Sequence, residues 1–317
     1  MEAQVSFSNE VRDESARIIP EKKCCKRAEL AALIAMRGDT IANEDGTCTL
    51  QLESENAVAA RKAYRLLKDI CGLQASSSVV QRKRFKQKRF YLSQVKLERE
   101  DLQFLQELGL IDREGKAVKY LDTKITAKNC CKRAYLRGLF ICKGFVNRPE
   151  ANYHLEMVFN DTRMAKDVKK LTGKLDLETG IGERKNNLIV YIKDSEKIVD
   201  FLRLIGTSKS LLEFENVRII KSMRNQVNRQ VNCETANLGK TIDASVRQVE
   251  LIEALIARLG IGKIPLQLRE LALLRIDHPD STLKELGALM NPPLTKSGVA
   301  YRMRKLEIFA EENLYGA

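Results

Sequence analysis

The chain has 317 residues, enough for two or three domains, and its 55 Lys and Arg against 42 Asp and Glu leave a formal charge of +13. That excess points to a polyanion, nucleic acid first, with a merely basic surface as the alternative. No run approaches the roughly 20 apolar residues of a membrane span, the polar start MEAQVSFSNEVRDE does not read as a signal peptide, and the eight cysteines are expected to be reduced in a cytoplasmic chain.

In chain order, the first organising feature is an internal repeat. CCKRAELAAL at 24–33 returns as CCKRAYLRGL at 130–139, with seven of ten positions matching at an offset of 106. Behind the first copy the pattern predicts a strand over 47–52, a helix over 56–71, a hairpin over 76–95 and a helix over 99–108. Behind the second it predicts a strand over 153–159, a helix over 163–171, a strand over 187–193 and a helix over 195–205. The shared order is helix, strands, helix, strands, helix: an α+β unit present twice. In the leading helices Ala28 and Ala32 correspond to Ala134 and Gly138, four apart on one face. Small side chains there favour packing of the two helices on each other across a pseudo-twofold axis over packing of each on its own sheet. A zinc site from Cys24, Cys25, Cys130 and Cys131 is disfavoured, since neighbours at a helix start are not expected to aim at one point. Buried reduced thiols are expected, and no metal or other cofactor.

The segment RKRFKQKRFY carries Arg82, Lys83, Arg84, Lys86, Lys88 and Arg89 with no acid. As a hairpin strand it either presents cations to a phosphate backbone or protects a sheet edge with charge. Residues 213–241 have helical spacing; Arg218, Lys221, Arg224, Asn228 and Arg229 either touch a backbone or, the favoured reading, bridge two domains. An amphipathic helix over 244–259 is ended by Gly260, and a second follows over 266–275. Then Ser281 is expected to cap a short helix bearing Leu283, Leu286 and Leu289, and Asn291, Pro292 and Pro293 break it. Thr295 caps a basic helix: a helix-turn-helix. In that last helix Val299, Met303 and Leu306 face a core. Ser297, Tyr301, Arg304 and Lys305 lie opposite, flanked by Lys296 and Arg302, a face suited to base edges and phosphates. Ser281, Thr282, Lys284 and Thr295 are candidate contacts from the first helix and turn. An ordinary amphipathic hairpin would also show charges outward.

LAALIAMRG (30–38) and LRGLFICKG (136–144) resemble two degenerate LAGLIDADG motifs. In homing endonucleases of that family the two helices form the subdomain interface, each ends in an acid that holds a catalytic metal, and the paired sheets saddle DNA. Here Arg37 and Lys143 stand where the acids would be. A cation gives Mg²⁺ no oxygen ligand, so no nuclease is expected, and both residues become candidate phosphate contacts.

Taken together, SFSNEVRDE, both CCKR copies, NRQVNCETANLGKT and TLKELGALM…TKSGVAYRMRKL closely resemble the WhiA family, over nearly the whole chain. The C-terminal part also resembles region 4 of sigma factors. The resemblance implies an α+β chain: a first LAGLIDADG-like repeat over 1–110, a second over 111–212, a helical connector over 213–243 and an all-α helix-turn-helix domain over 244–317. It implies a non-enzymatic, sequence-recognising regulator bound to double-stranded DNA, linked to sporulation, cell division and chromosome segregation. The corresponding expectations are a cytoplasmic, nucleoid-associated monomer with internal pseudo-twofold symmetry, and RNA polymerase, a sigma factor or another regulator as protein partner. Two other readings stay open: an interaction scaffold docking on polymerase or division proteins, and a divergent endonuclease using another acid such as Asp39.

Overall fold

The structure is a computed structural model and describes residues 6–315 apart from 45–46, 73–74, 83–87, 99–100, 113, 115–117, 119 and 186. It divides into two units, residues 1–221 and 222–317.

The first unit opens with α1 (Phe7–Arg17), whose N-cap Ser6 accepts a hydrogen bond from the Asn9 amide. Two copies of one αββαββα pattern follow. The first is α2 (Lys23–Arg37), β1 (Gly38–Ala42), β2 (Cys48–Ser54), α3 (Ala57–Cys71), β3 (Ala75–Arg82), β4 (Lys88–Leu97) and α4 (Leu102–Glu107). The second is α5 (Asn129–Lys143), β5 (Gly144–Val146), β6 (Leu155–Phe159), α6 (Thr162–Gly173), β7 (Gly180–Arg184), β8 (Asn187–Ile192) and α7 (Ser195–Ile205). Each copy builds an antiparallel sheet of the same order, β1-β2-β4-β3 and β5-β6-β8-β7. β1, β5 and β7 and the helix α1 were not among the sequence-predicted elements. β1 and β5 begin at the glycines ending α2 and α5 and run five and three residues, too short for an alternating pattern to show. The pairing gives them register: Gly38 lies opposite Leu52 and Gly144 opposite Met157.

α2 and α5 pack on each other, as their small residues suggest. Ala28 and Ala32 are fully buried, and a β-carbon on Gly138 would sit 2.8 Å from the Ala32 methyl carbon and from the Glu29 carbonyl. Backbones that close require a residue without a side chain at the crossing. This geometry overturns one expectation. The Cys24, Cys25, Cys130 and Cys131 sulfurs do aim at one point, all lying within 4.8 Å of one another. The divergence expected of neighbours on one helix is cancelled because the facing helix brings its own pair to the same end of the crossing.

α8 (Ser208–Leu259) is one helix of 52 residues. It joins the stretches read as a connector and a separate amphipathic helix, continuing through Gly239 without a break. Its first turn is capped from α1: the Glu14 carboxylate accepts from the Lys209 and Ser210 amides at 2.8 and 2.9 Å. Gly260, with φ of 80°, ends it. The second unit then continues through a 3-10 turn (Ile261–Lys263), α9 (Leu266–Asp277), α10 (Leu283–Leu289) and α11 (Lys296–Leu314). Ile252 and Leu255 of α8 join Leu268, Leu271, Leu286, Val299, Met303 and Leu306 in one core.

Candidate nucleic-acid interface

In the second unit α10 and α11 form the helix-turn-helix. α10 is capped by Thr282, not Ser281. The Thr282 hydroxyl accepts from the Glu285 amide, and the Glu285 carboxylate accepts from the Thr282 amide at 2.7 Å. This reciprocal box satisfies two free donors at once, which a Ser281 cap would not. It was readable as Thr-x-x-Glu, the better signal of the two. The Ser281 carbonyl instead accepts from Arg275 at 2.7 Å. Arg275 is a buried residue the sequence did not flag; its guanidinium also binds the Pro279 carbonyl and the Ser245 hydroxyl and so ties the end of α9 to the loop before α10. Of the three leucines on α10, Leu286 is buried, Leu283 packs on the core and Leu289 is exposed.

Thr295 caps α11, accepting from the Gly298 amide at 3.3 Å. Val299, Met303 and Leu306 are buried. Lys296, Ser297, Tyr301, Arg304 and Lys305 are exposed, Arg302 is half-buried with one nitrogen 3.5 Å from the Gln267 carbonyl, and Thr282, Lys284 and Thr295 are exposed beside the turn. The Lys305 ammonium rests over the Tyr301 ring at 4.7 Å, a cation–π contact that holds both side chains on the open face. That face, from Lys296 to Lys305, carries four cations and no acid.

In the first unit Arg37 and Lys143 end the twin helices. Arg37 is exposed and donates to the Cys142 carbonyl at 3.2 Å. Lys143 is half-buried, its pKa lowered by burial and then by the charge of Arg37. Two neighbouring like charges favour an anion between them and oppose a metal ion. Asp39 is exposed on β1. Of the basic hairpin, Arg82 closes β3 opposite Lys88 of β4 and Arg89 is exposed; Lys83, Arg84 and Lys86 lie outside the described residues. In α8, Arg218 is engaged by Glu215 at 2.8 Å, and Lys221 donates to the Ala151 carbonyl at 2.7 Å while lying over the Tyr153 ring. Those two therefore brace the body, whereas Arg224, Asn228 and Arg229 are exposed.

A buried ion triad beneath the helix crossing was not anticipated. Glu29, fully buried, accepts from Arg137 Nε at 2.9 Å and Nη2 at 2.8 Å and pairs with Lys62. Lys62 also donates to the Ser15 carbonyl at 2.8 Å. Burial drives the Lys62 ammonium down to about 8, against the pull of Glu29 and helped by Arg137. Because its folded value lies below the unfolded one, the cost of burying the Lys62 charge is fully present below about pH 8 and disappears as pH rises toward 10.5. The body should gain stability from this group across that window, and Lys62→Met should flatten that part of the profile. Urea midpoints measured at intervals from pH 7.5 to about pH 10 check this; equal slopes in the two proteins would refute it.

The fold and this surface define a twinned LAGLIDADG-like body carrying a C-terminal helix-turn-helix. Family models match in the same three parts: the WhiA N-terminal LAGLIDADG-like domain over 23–111, the WhiA LAGLIDADG-like domain over 132–224 and the WhiA C-terminal HTH domain over 227–310. A relative from Syntrophomonas wolfei, described as "Probable cell division protein WhiA", is 54% identical over 98% of this chain and 99% of its own. One of the same description from Heliobacterium modesticaldum is 45% identical over 97% of this chain and 96% of its own. The chain belongs to the WhiA family. The crystal structure of full-length WhiA from Thermatoga maritima shares the fold, with a TM-score of 0.57 and 24% identity over 97% of this chain and 99% of that one. No helix among the described residues is long and apolar enough to cross a membrane.

Proposed function

We propose that the protein is a sequence-specific, double-stranded-DNA-binding regulator of transcription, acting in cell division, chromosome segregation or sporulation from the nucleoid, and that its body does not cut DNA. The observation that carries this reading is the open face at the start of α11, acid-free from Lys296 to Lys305, with Lys296, Ser297, Tyr301, Arg304 and Lys305 outward while Val299, Met303 and Leu306 fix the helix from behind. Hydroxyl and guanidinium groups read base edges, and ammonium groups hold phosphates. Arg37 and Lys143 support the non-catalytic half, because hydrolysis of a phosphodiester by bound metal needs carboxylates where these cations stand. In this division of labour the repeats over 1–110 and 111–212 add backbone grip through Arg37, Lys143 and the hairpin cations Arg82, Lys83, Arg84, Lys86, Lys88 and Arg89. The helix over 213–243 connects, and 244–317 reads sequence.

Genome-wide mapping of bound chromosomal sites supplies the target. On that target Arg304→Ala should lose about 1–3 kcal/mol of specific binding while binding to random DNA changes little. Lys305→Ala should weaken both alike and reduce the salt slope by about one. An unchanged ratio of target to random affinity in Arg304→Ala would remove Arg304 from readout. Mg²⁺-dependent nicking by the pure protein, lost in Asp39→Ala, would overturn the non-catalytic reading.

A further inference from the structure

The two cysteine pairs, one from each repeat, meet where α2 and α5 begin. Cys24 and Cys25 lie in the first turn of α2, Cys130 and Cys131 in the first turn of α5, and the four sulfurs are mutually within 4.8 Å. We infer that Cys24, Cys25, Cys130 and Cys131 form a tetrathiolate site for one thiophilic divalent metal ion, of which zinc is the type, that staples the two repeats at their pseudo-twofold axis.

Distance favours a single ion. Zn–S bonds of about 2.3 Å in a tetrahedron put sulfurs about 3.8 Å apart. The Cys130 and Cys131 sulfurs are already at 4.0 Å. The widest separation has to close by roughly 1 Å, within the reach of side-chain rotation. An iron–sulfur cluster would hold the two pairs on different irons and spread them. Burial favours a structural site: Cys25 and Cys131 are buried, and Cys24 and Cys130 half-buried, so four protein ligands close the ion off.

Charge favours it too. Zn²⁺ with four thiolates carries a net charge of −2, which needs positive surroundings. Both helices direct the positive ends of their dipoles at the sulfurs, and neither has an acid in its first turn. The N-cap positions are Lys22 and Lys128, which make no capping hydrogen bond through their side chains. Lys23 and Lys132 stand on the same first turns, as does Lys26, whose ammonium is paired with Asp69 at 2.6 Å. Ordinary helix starts place Ser, Asp or Glu there; these two place cysteines among lysines. Binding releases one proton from each of the four thiols to solvent and changes no oxidation state.

Full-length protein, purified without a metal-binding tag under reducing conditions with zinc supplied, is expected to hold about one zinc per chain by elemental mass spectrometry. A thiol-blocking mercurial should release that zinc. Replacement by Co²⁺ should give the thiolate-to-metal charge-transfer and visible bands of a tetrahedral all-sulfur site. Cys24→Ser with Cys130→Ser should abolish both signals, while Cys142→Ser, a buried cysteine outside the cluster, should keep them. Should the double variant misfold by circular dichroism, wild-type protein stripped by mercurial, reduced and refilled replaces it: removal should lower the thermal midpoint by several degrees and zinc should restore it. Reduced, zinc-supplied protein that holds no metal and takes up no Co²⁺ would overturn the site. So would a double variant that keeps its zinc, or disulfides among these four in protein taken from reducing cytoplasm.

Discussion

Glu29→Gln should destabilise the body by about 3–5 kcal/mol, the usual cost of leaving buried charge without its partner. Glu29 is the only anion of the described triad, and it neutralises two cations that have little water to fall back on: Lys62 has a side-chain exposure of 0% and Arg137 of 10%. Gln preserves the shape but removes the charge, and it turns an amide donor toward Arg137 or Lys62, both of which only donate. With domain stabilities of about 5–15 kcal/mol, a loss of that size removes a large share of the total. Urea denaturation followed by circular dichroism reads it as a drop in midpoint at unchanged slope. Adding Lys62→Met to Glu29→Gln should recover part of the loss, since only Arg137 then stays unpaired; the double-mutant cycle should be strongly non-additive. A single-variant loss under about 1 kcal/mol would mean that water or a rearranged partner compensates the cations and that the triad is not closed.

The triad also shows how the repeat was legible and where it was not. The seven matching positions of the two copies announced a duplicated unit, and the spacing of Ala28, Ala32, Ala134 and Gly138 announced that the helices meet. The three mismatches carried information that similarity conceals. They set Glu29 against Tyr135, Ala31 against Arg137 and Ala32 against Gly138. Across the axis Glu29 grips Arg137, and Ala32 fills the space that Gly138 leaves. A crossing of two identical helices would put like on like, so the departures from symmetry are what interlock. The partner Lys62 could not be read at all, because it arrives from α3 through tertiary packing. Likewise the cysteine pairs were visible as motifs, but their convergence depends on the crossing angle, which periodicity along one helix does not contain. In the second unit the periodic face of α11 matched the buried set, because one amphipathic helix on one core is a local problem. Leu289, the last residue of the seven-residue α10, is exposed.

Gly287→Ala should reduce the preference for target DNA toward the non-specific level, a loss on the order of 10³-fold or more, while leaving the first unit folded. A β-carbon at Gly287 would lie 2.3 Å from the Leu294 carbonyl oxygen and 2.9 Å from a Val299 methyl. The first of these is backbone, and it already accepts no slack: the Leu294 amide donates to the Gly287 carbonyl at 2.8 Å, so the two segments are tied face to face. Val299 is fully buried. Relief therefore has to come from moving the turn or the start of α11, because tight interiors do not absorb an added methyl without displacement. Those first turns carry Lys296, Ser297 and Tyr301. Base readout depends on positions held to a fraction of an ångström, whereas attraction to phosphates does not. The variant should thus keep salt-dependent affinity for random duplex and lose discrimination, with a lower melting temperature confined to the C-terminal unit. Competition binding on target and random duplexes, alongside hydrogen exchange of α10 and α11, separates the two effects. Unchanged discrimination together with native exchange in α10 would show that the turn tolerates the methyl, and the tie between Gly287 and the reading face would have to be abandoned.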